Sequence, residues 1–450
     1  MSGQYIPAEL GTEKISKLLR QYAIPAIIAM TASSLYNMVD SIFIGHGVGS
    51  FAISGLAITF PFMNIAAAFG TLVGIGASTL VSVKLGQKDY STARRVLGNV
   101  FILNIIIGIL FTIVSLIFLD PVLYFFGASE NTISYAREYM IIILLGNIFT
   151  HLYFGLNNVL RSSGHPKKAM MLTISAVVLN TILDPVFIFV FEWGIQGAAI
   201  ATILSQLVSL VWQIHIFRNK KELLHLHKSI FNLEFRLVKD MLAIGLSPFL
   251  MNVASCFIVI LINNGLKTHS GDLAIGAFGI VNRFSFMFVM IVMGLNQGMQ
   301  PVAGYNYGAG LALRVQEALG LTIFFATIVT TTAFLIGEFF PEWVARIFTG
   351  DEELIALSVY GLRIIVMFYP LIGAQIVIAT FFQSIGMAGK AIFLSLTRQV
   401  LILIPCLIIL PKFFGVTGVW ASMPISDFAA SLVSTVMIFY QIRKFKSEQR

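Results

Sequence analysis

Residues 53–98 read ISGLAITFPFMNIAAAFGTLVGIGASTLVSVKLGQKDYSTARRVLG, and residues 275–320 read IGAFGIVNRFSFMFVMIVMGLNQGMQPVAGYNYGAGLALRVQEALG. Laid side by side without a gap, Ile58 meets Ile280, Phe62 meets Phe284, Gly76 meets Gly298 and Gly86 meets Gly308. The same register carries Ser162, Gly164, Lys168 and Ala169 onto Ser384, Gly386, Lys390 and Ala391. A one-residue slip upstream pairs Pro25 with Pro248 and Asp40 with Asn263. A nearly constant offset over separate landmarks marks a duplicated chain. Duplicated hydrophobic halves build many secondary transporters, with the substrate path between the repeats. An acid in one half opposite a neutral residue in the other points to ion coupling in the first half.

Composition sets the class. Of 450 residues 57% are hydrophobic and 11% charged, with a mean hydropathy of +0.88. Apolar stretches of roughly 20 residues cross a bilayer as helices, so this is an all-α polytopic membrane protein. Twelve spans are expected, near 18–44, 51–82, 93–118, 132–160, 169–190, 194–217, 240–266, 272–304, 314–337, 354–384, 389–410 and 416–442. Basic residues fill alternate connections: Lys84, Lys88, Arg94 and Arg95; Arg161, Lys167 and Lys168; then Arg218 to Lys239 in mid-chain and Arg443 to Arg450 at the tail. The other connections hold Asp120, Glu130, Glu192, Glu342 and Asp351 to Glu353. Positive charge stays inside, so both termini and the mid-chain linker are expected to be cytoplasmic, in a cytoplasmic (inner) membrane. Six spans per half then make the halves parallel repeats: an N-terminal lobe 1–217, a linker 218–239 and a C-terminal lobe 240–450. The net charge of +8 is spread over loops and is explained by topology rather than by a nucleic-acid partner. No leader resembling a cleaved signal peptide precedes the first span. Cys256 and Cys406 lie in apolar segments and imply no disulfide framework or metal site.

The chemistry rests on the few polar residues inside the spans. Asp40 lies late in the first span and Asp184 late in the fifth, and both spans run outward. Asn180 is one helical turn from Asp184 on the same face, and Thr202 is about two turns into the descending sixth span. Four oxygen-bearing side chains thus come to one level. A charged side chain at the bilayer centre costs about 2.5–3.5 kcal/mol on insertion scales, so such residues usually face a cavity and carry function. Paired carboxylates favour proton uptake, and the same oxygens suit a hard cation such as Na+. Pro25 permits a kink in the helix that carries Asp40.

Tyr36-Asn37-Met38-Val39-Asp40-Ser41-Ile42-Phe43-Ile44-Gly45, then Ile53-Ser54-Gly55-Leu56-Ala57, resembles the multidrug and toxic compound extrusion (MATE) transporters, closest to their MepA-like bacterial and archaeal branch. Gly86-Gln87-Lys88-Asp89, Leu160-Arg161-Ser162-Ser163-Gly164-His165-Pro166 and Leu179-Asn180-Thr181-Ile182-Leu183-Asp184-Pro185 extend the resemblance over the whole chain. The resemblance implies a V-shaped pair of six-helix bundles around a cleft open alternately to each side. It implies export of organic compounds, often cationic and lipophilic, in exchange for H+ or Na+, and hence a xenobiotic-transport and antibiotic-resistance role. It places the cation site on Asp40, Asn180, Asp184 and Thr202 and the bend of the first helix at Pro25. Other branches use acids in the seventh and tenth spans. Here those spans offer Asn263, Asn264 and Gln383, which puts a second site of that type in doubt.

Further candidates accompany these. Tyr36 and Asn37 adjoin the Asp40 turn, and Asn157 resembles a polar position near the family's N-lobe cavity. Phe60, Phe62 and Met63, with Phe286, Met287 and Met290, offer an adaptable apolar wall. Arg398 and Asp427 reach similar depth on adjacent helices and read as an ion pair; Arg283 and Arg363 are further charges in spans. His151 reads as a core histidine or a proton relay. No Gly-x-x-x-x-Gly-Lys-Ser/Thr stretch occurs, which argues against an ATP-driven pump. Scattered histidines and sparse acids argue against an enzyme. The alternative function is a lipid-linked precursor flippase of the same superfamily, drawing on Arg283, Arg363 and Arg398. The expected partners are drug-like or toxic organic cations and membrane lipid, no cofactor beyond the coupling ion is implied, and a monomer suffices.

Overall fold

The computed structural model describes residues 5, 7–48 and 50–448, without the side chains of 37, 38, 42, 45, 46, 50, 51, 53, 272 and 448. Helices occupy nearly all of it. The first six spans are Ile15–Gly47, Ser50–Gly86, Tyr90–Ile117, Ile133–Ser162, Pro166–Pro185 and Gly194–Phe217. The next three are Phe235–Ser270, Asp272–Gly308 and Ala312–Phe339. The tenth is broken: Glu352–Val366 and Tyr369–Ser384 meet at a 54° bend. A single span over 354–384 was expected. Pro370 supplies no N–H for the carbonyl of Val366, so the ladder fails there. The stretch Ala388–Ser447 holds two spans, parted where Gly415 takes φ +56°. With these two readings the twelve expected spans are all accounted for.

The duplication is visible in the element bounds. Ser50–Gly86 maps onto Asp272–Gly308, and Tyr90–Ile117 onto Ala312–Phe339, each end moved by the same 222 residues (50 to 272, 86 to 308). Gly164 and Gly386, one offset apart, both end a helix in the left-handed region, at φ +98° and +76°. Only glycine reaches that region without steric cost, so the turn after the fourth and tenth spans is written twice.

Packing divides the chain into two units. One comprises Met1–Thr12 with Ile28–Phe249, the other Glu13–Ile27 with Leu250–Arg450. The lobes read at 1–217 and 240–450 follow the repeat; packing instead cuts inside the first and seventh spans. Glycines make this cut. In the first unit a Cβ on Gly76 would strike the carbonyl of Met241, and one on Gly245 the carbonyl of Leu72. In the second unit Gly298 lies against Ala23 and Gly294 against Ile27. The opening half of each repeat's first helix therefore packs against small residues late in the other repeat's second helix.

Mid-chain residues 218–234 are strapped to the first unit. Arg94 Nε donates to the Leu223 carbonyl (3.0 Å), Asn99 Nδ2 to the Asn232 carbonyl (3.1 Å), and the Glu234 N–H to Asn99 Oδ1 (2.8 Å). Arg95 grips both oxygens of Glu234 at 2.9 and 3.1 Å. Leu223, Leu224 and Ile230 are buried beneath. The N-terminal segment joins through Tyr5 N–H to the Lys221 carbonyl (2.8 Å) and stacking of Tyr5 on His165.

Glu222 ties the strap to the loop after the fourth span, with His165 at 2.7 Å and Lys168 at 3.0 Å. Burial alone would raise its pKa, but the hydrogen bonds and charges of His165 and Lys168 outweigh that and hold it below the ordinary value. A depressed acid contributes stability that is present above its unfolded pKa, about 4.3, and is lost as pH falls through the lowered folded value. Hydrogen exchange of amides 219–230, corrected for intrinsic rate, is expected to stay slow at neutral pH and to accelerate below about pH 4. Glu222→Gln is expected to be fast at both; equal protection in variant and parent would refute the tie.

Candidate functional site

The first unit buries a polar cluster drawn from four helices. Asp40 arrives from the first span, Tyr139 from the fourth, Asn180 and Asp184 from one face of the fifth, and Thr202 from the sixth. Asp184 is fully buried and Asp40 is 5% exposed. The sequence places them together simply: residues 180 and 184 stack one turn apart, and the helix that carries them ends at Pro185, where a π-helical turn, Val186–Val190, takes over.

The hydrogen bonds form a directed chain. The Tyr36 hydroxyl lies 3.0 Å from Thr202 Oγ1, and the buried Tyr139 lies within electrostatic reach of Asp40, Asp184 and Tyr36. The Asn180 amide satisfies its neighbours in one orientation: its nitrogen donates to Asp184 Oδ2 (2.9 Å), while its oxygen accepts from Thr202 N (3.1 Å) and Thr202 Oγ1 (3.3 Å). Reversed, it would set oxygen against carboxylate. Asp184 and Asp40 lie within electrostatic reach of each other. Two buried carboxyl groups that close repel when both are charged, and a proton or a cation between them relieves it. Among the described residues, Asp40 Oδ1 and Asp184 Oδ1 have no hydrogen-bond partner. Such oxygens are costly to bury unless a proton or a cation meets them. Among the described residues no three His, Cys, Asp or Glu side chains converge as a metal site, so any bound cation would rest on two carboxylates with amide and hydroxyl oxygens.

The structure thus brings together Asp40, Asn180, Asp184 and Thr202, and adds Tyr36. Tyr139 was missed. It reads as one more aromatic in an apolar span, and only the packing of the fourth span against the sixth brings it beside the cluster. Other candidates lie elsewhere. Asn157 donates to the Ala169 carbonyl (3.1 Å) and accepts from Arg161 (3.3 Å), bracing the cytoplasm-assigned loop. His151 is wholly buried with Nε2 2.9 Å from the Ala66 carbonyl, a core histidine. Phe62 belongs to the unit's apolar core, with Met63 packed on it. Phe60, Phe286 and Met287 are exposed, and Met290 is half-buried. The side chain of Asn37 lies outside the described residues. Pro25 is buried in the first span, and the helix runs through it without a break.

In the second unit Arg398 Nε donates to Asp427 Oδ1 at 2.7 Å, the ion pair the sequence indicated. Arg283 and Arg363 are exposed. Cys256 and Cys406 are half-buried, and neither forms a disulfide among the described residues.

Comparison with known proteins agrees with this architecture. A family model described as MatE matches residues 25–186 and 243–408. The multidrug export protein MepA of Staphylococcus aureus is 27% identical over 425 residues, 94% of each chain. Its namesake in Staphylococcus haemolyticus is also 27% identical, over 429 residues covering 95% of this chain and 94% of that protein. Among solved structures, the MATE multidrug transporter DinF-BH in complex with rhodamine 6G superimposes with a TM-score of 0.89 at 38% identity, covering 96% of each chain. An outward-facing MATE family transporter of the MOP superfamily shares the fold at a TM-score of 0.92 and 24% identity, over 98% of this chain and 99% of that one. On the two-part family match and the shared helical fold, the chain belongs to the MATE family of membrane transporters.

Proposed function

We propose that this transporter exports organic compounds across a cytoplasmic membrane in exchange for a cation, and that the cation is a proton held between Asp40 and Asp184. The observation that carries the reading is two buried carboxyls in one polar cluster, each with an oxygen that no hydrogen bond meets, and the Asn180 amide donating to one of them. Asn180 donates to Asp184 and so steadies the charge of the pair, and the proton belongs to the two carboxyls together. Release of the proton leaves two buried like charges in contact, a state the surrounding helices relieve by moving apart or admitting water. Proton occupancy and helix position are linked in that way. Asp40 lies on the same continuous helix as Pro25, whose missing N–H lets the first span bend as occupancy changes. The names of the MepA relatives, and the dye held by DinF-BH, support lipophilic aromatic compounds as cargo. Both termini are assigned to the cytoplasmic side by the distribution of Lys and Arg.

The test is export of a fluorescent cationic dye by purified protein in liposomes, with a proton gradient and a sodium gradient imposed separately. Dye movement driven by the proton gradient alone is the expected result. Movement under sodium alone would transfer the same oxygens to Na+ coordination, and none under either would remove the antiport reading.

A further inference from the structure

Arg398 lies about 15 Å along the eleventh span from its start at Ala388, at about 1.5 Å per residue, and Asp427 about 18 Å beyond the Gly415 break. Both therefore lie near the middle of a hydrocarbon core about 30 Å thick. Asp427 is 4% exposed, yet 26% of the Arg398 side chain is open. The contact between them is side-on: Nε donates to Asp427 Oδ1 at 2.7 Å. Among the described residues the two terminal guanidinium nitrogens have no partner. A guanidinium edge left open at this depth is costly against lipid and calls for water or a polar ligand.

The surroundings fix that edge. Arg398 belongs to a π-helical stretch, Thr397–Leu403, a wide turn of the kind often found at functional sites. Ser426 Oγ pins the turn by donating to the Arg398 carbonyl at 2.6 Å. Tyr369, at the break of the tenth span, lies within electrostatic reach of both charges, its own hydroxyl committed to Ser285 Oγ at 2.6 Å. Next to Asp427 and Tyr369 in sequence, Phe428 and Phe368 pack ring to ring with centroids 5.0 Å apart.

We propose that Arg398 is an anion-reading subsite of the C-terminal unit, taking the carboxylate or phosphate of a zwitterionic amphiphile. The free edge of a guanidinium matches such a group with two parallel hydrogen bonds. Asp427 neutralises Arg398 when no ligand is present, so a ligand bearing its own cation adds no net charge there. The Phe368–Phe428 ring pair, next in sequence to Tyr369 and Asp427, offers apolar surface for the ligand's tail. The inference does not depend on ion coupling, because it concerns binding in the absence of a gradient.

The full chain in a phospholipid-free maltoside detergent is titrated with a rhodamine that keeps its free carboxylate and with the methyl ester of the same dye, followed by fluorescence anisotropy. The pair-neutral variant Arg398→Gln/Asp427→Asn is expected to weaken the free acid about tenfold and to leave the ester unchanged. Arg398→Lys, which keeps the charge and loses the fork, is expected to weaken the free acid alone. Asp427→Asn is expected to tighten the free acid. Competition by phosphatidylethanolamine added to the micelles would support the subsite and name a lipid headgroup as an occupant. Equal weakening of both dyes, or a free acid that binds all variants alike, overturns it.

Discussion

Asp184→Asn is expected to reduce gradient-driven dye export steeply while leaving dye binding intact, and Asp40→Asn is expected to do the same. Either change leaves a single carboxyl, so the like-charge repulsion that links proton release to helix movement is lost. Coupling free energies between linked sites are on the order of 1–3 kcal/mol, or about 5- to 150-fold, and the loss in driven transport is expected to fall in that range. Tyr139→Phe offers a graded control: it deletes one buried hydroxyl beside the cluster and leaves both carboxyls in place, so its export falls less than that of either acid variant. Dye binding to each variant without a gradient separates lost coupling from lost folding. Full export by both asparagine variants would end the claim that this pair couples transport.

The second large effect sets one repeat position against its twin. Gly98 and Gly320 are equivalent by the 222-residue offset. A Cβ at Gly98 would collide with the carbonyl of Ile230, whereas at Gly320 nothing lies within 4 Å. Gly98→Ala therefore forces the strap off the third span or shifts its backbone, at about 1–3 kcal/mol for overpacking. Gly320→Ala instead removes backbone freedom from the unfolded chain in the middle of a helix and is expected to stabilise by about 0.5–1 kcal/mol. Thermal unfolding in detergent reads both, and the signs are opposite. The same sign at the two positions would show that the strap does not press on Gly98 as described. Accelerated exchange at residues 228–234 in Gly98→Ala alone would locate the damage.

Much of the architecture was legible because a bilayer makes sequence blunt. Without water to satisfy the backbone, spanning segments are long apolar helices, so their number, their order and the duplication stand out in residues 53–98 and 275–320. The same blunting exposes the candidate site. In such apolar surroundings Asp40 and Asp184 are conspicuous, and helical spacing alone puts Asn180 with Asp184. What the sequence could not express is which helix face meets which. Tyr139 comes beside the acids, Asn157 turns to Arg161 instead, and mid-chain residues 218–234 become a strap on the first unit. The opening halves of the first and seventh spans leave their own repeats because Gly298 and Gly76 let a backbone come close. Hydropathy records only that a residue prefers burial or water. Direction, register and close approach arise from side chains and carbonyls of residues far apart in the chain, and only the tertiary structure decides them.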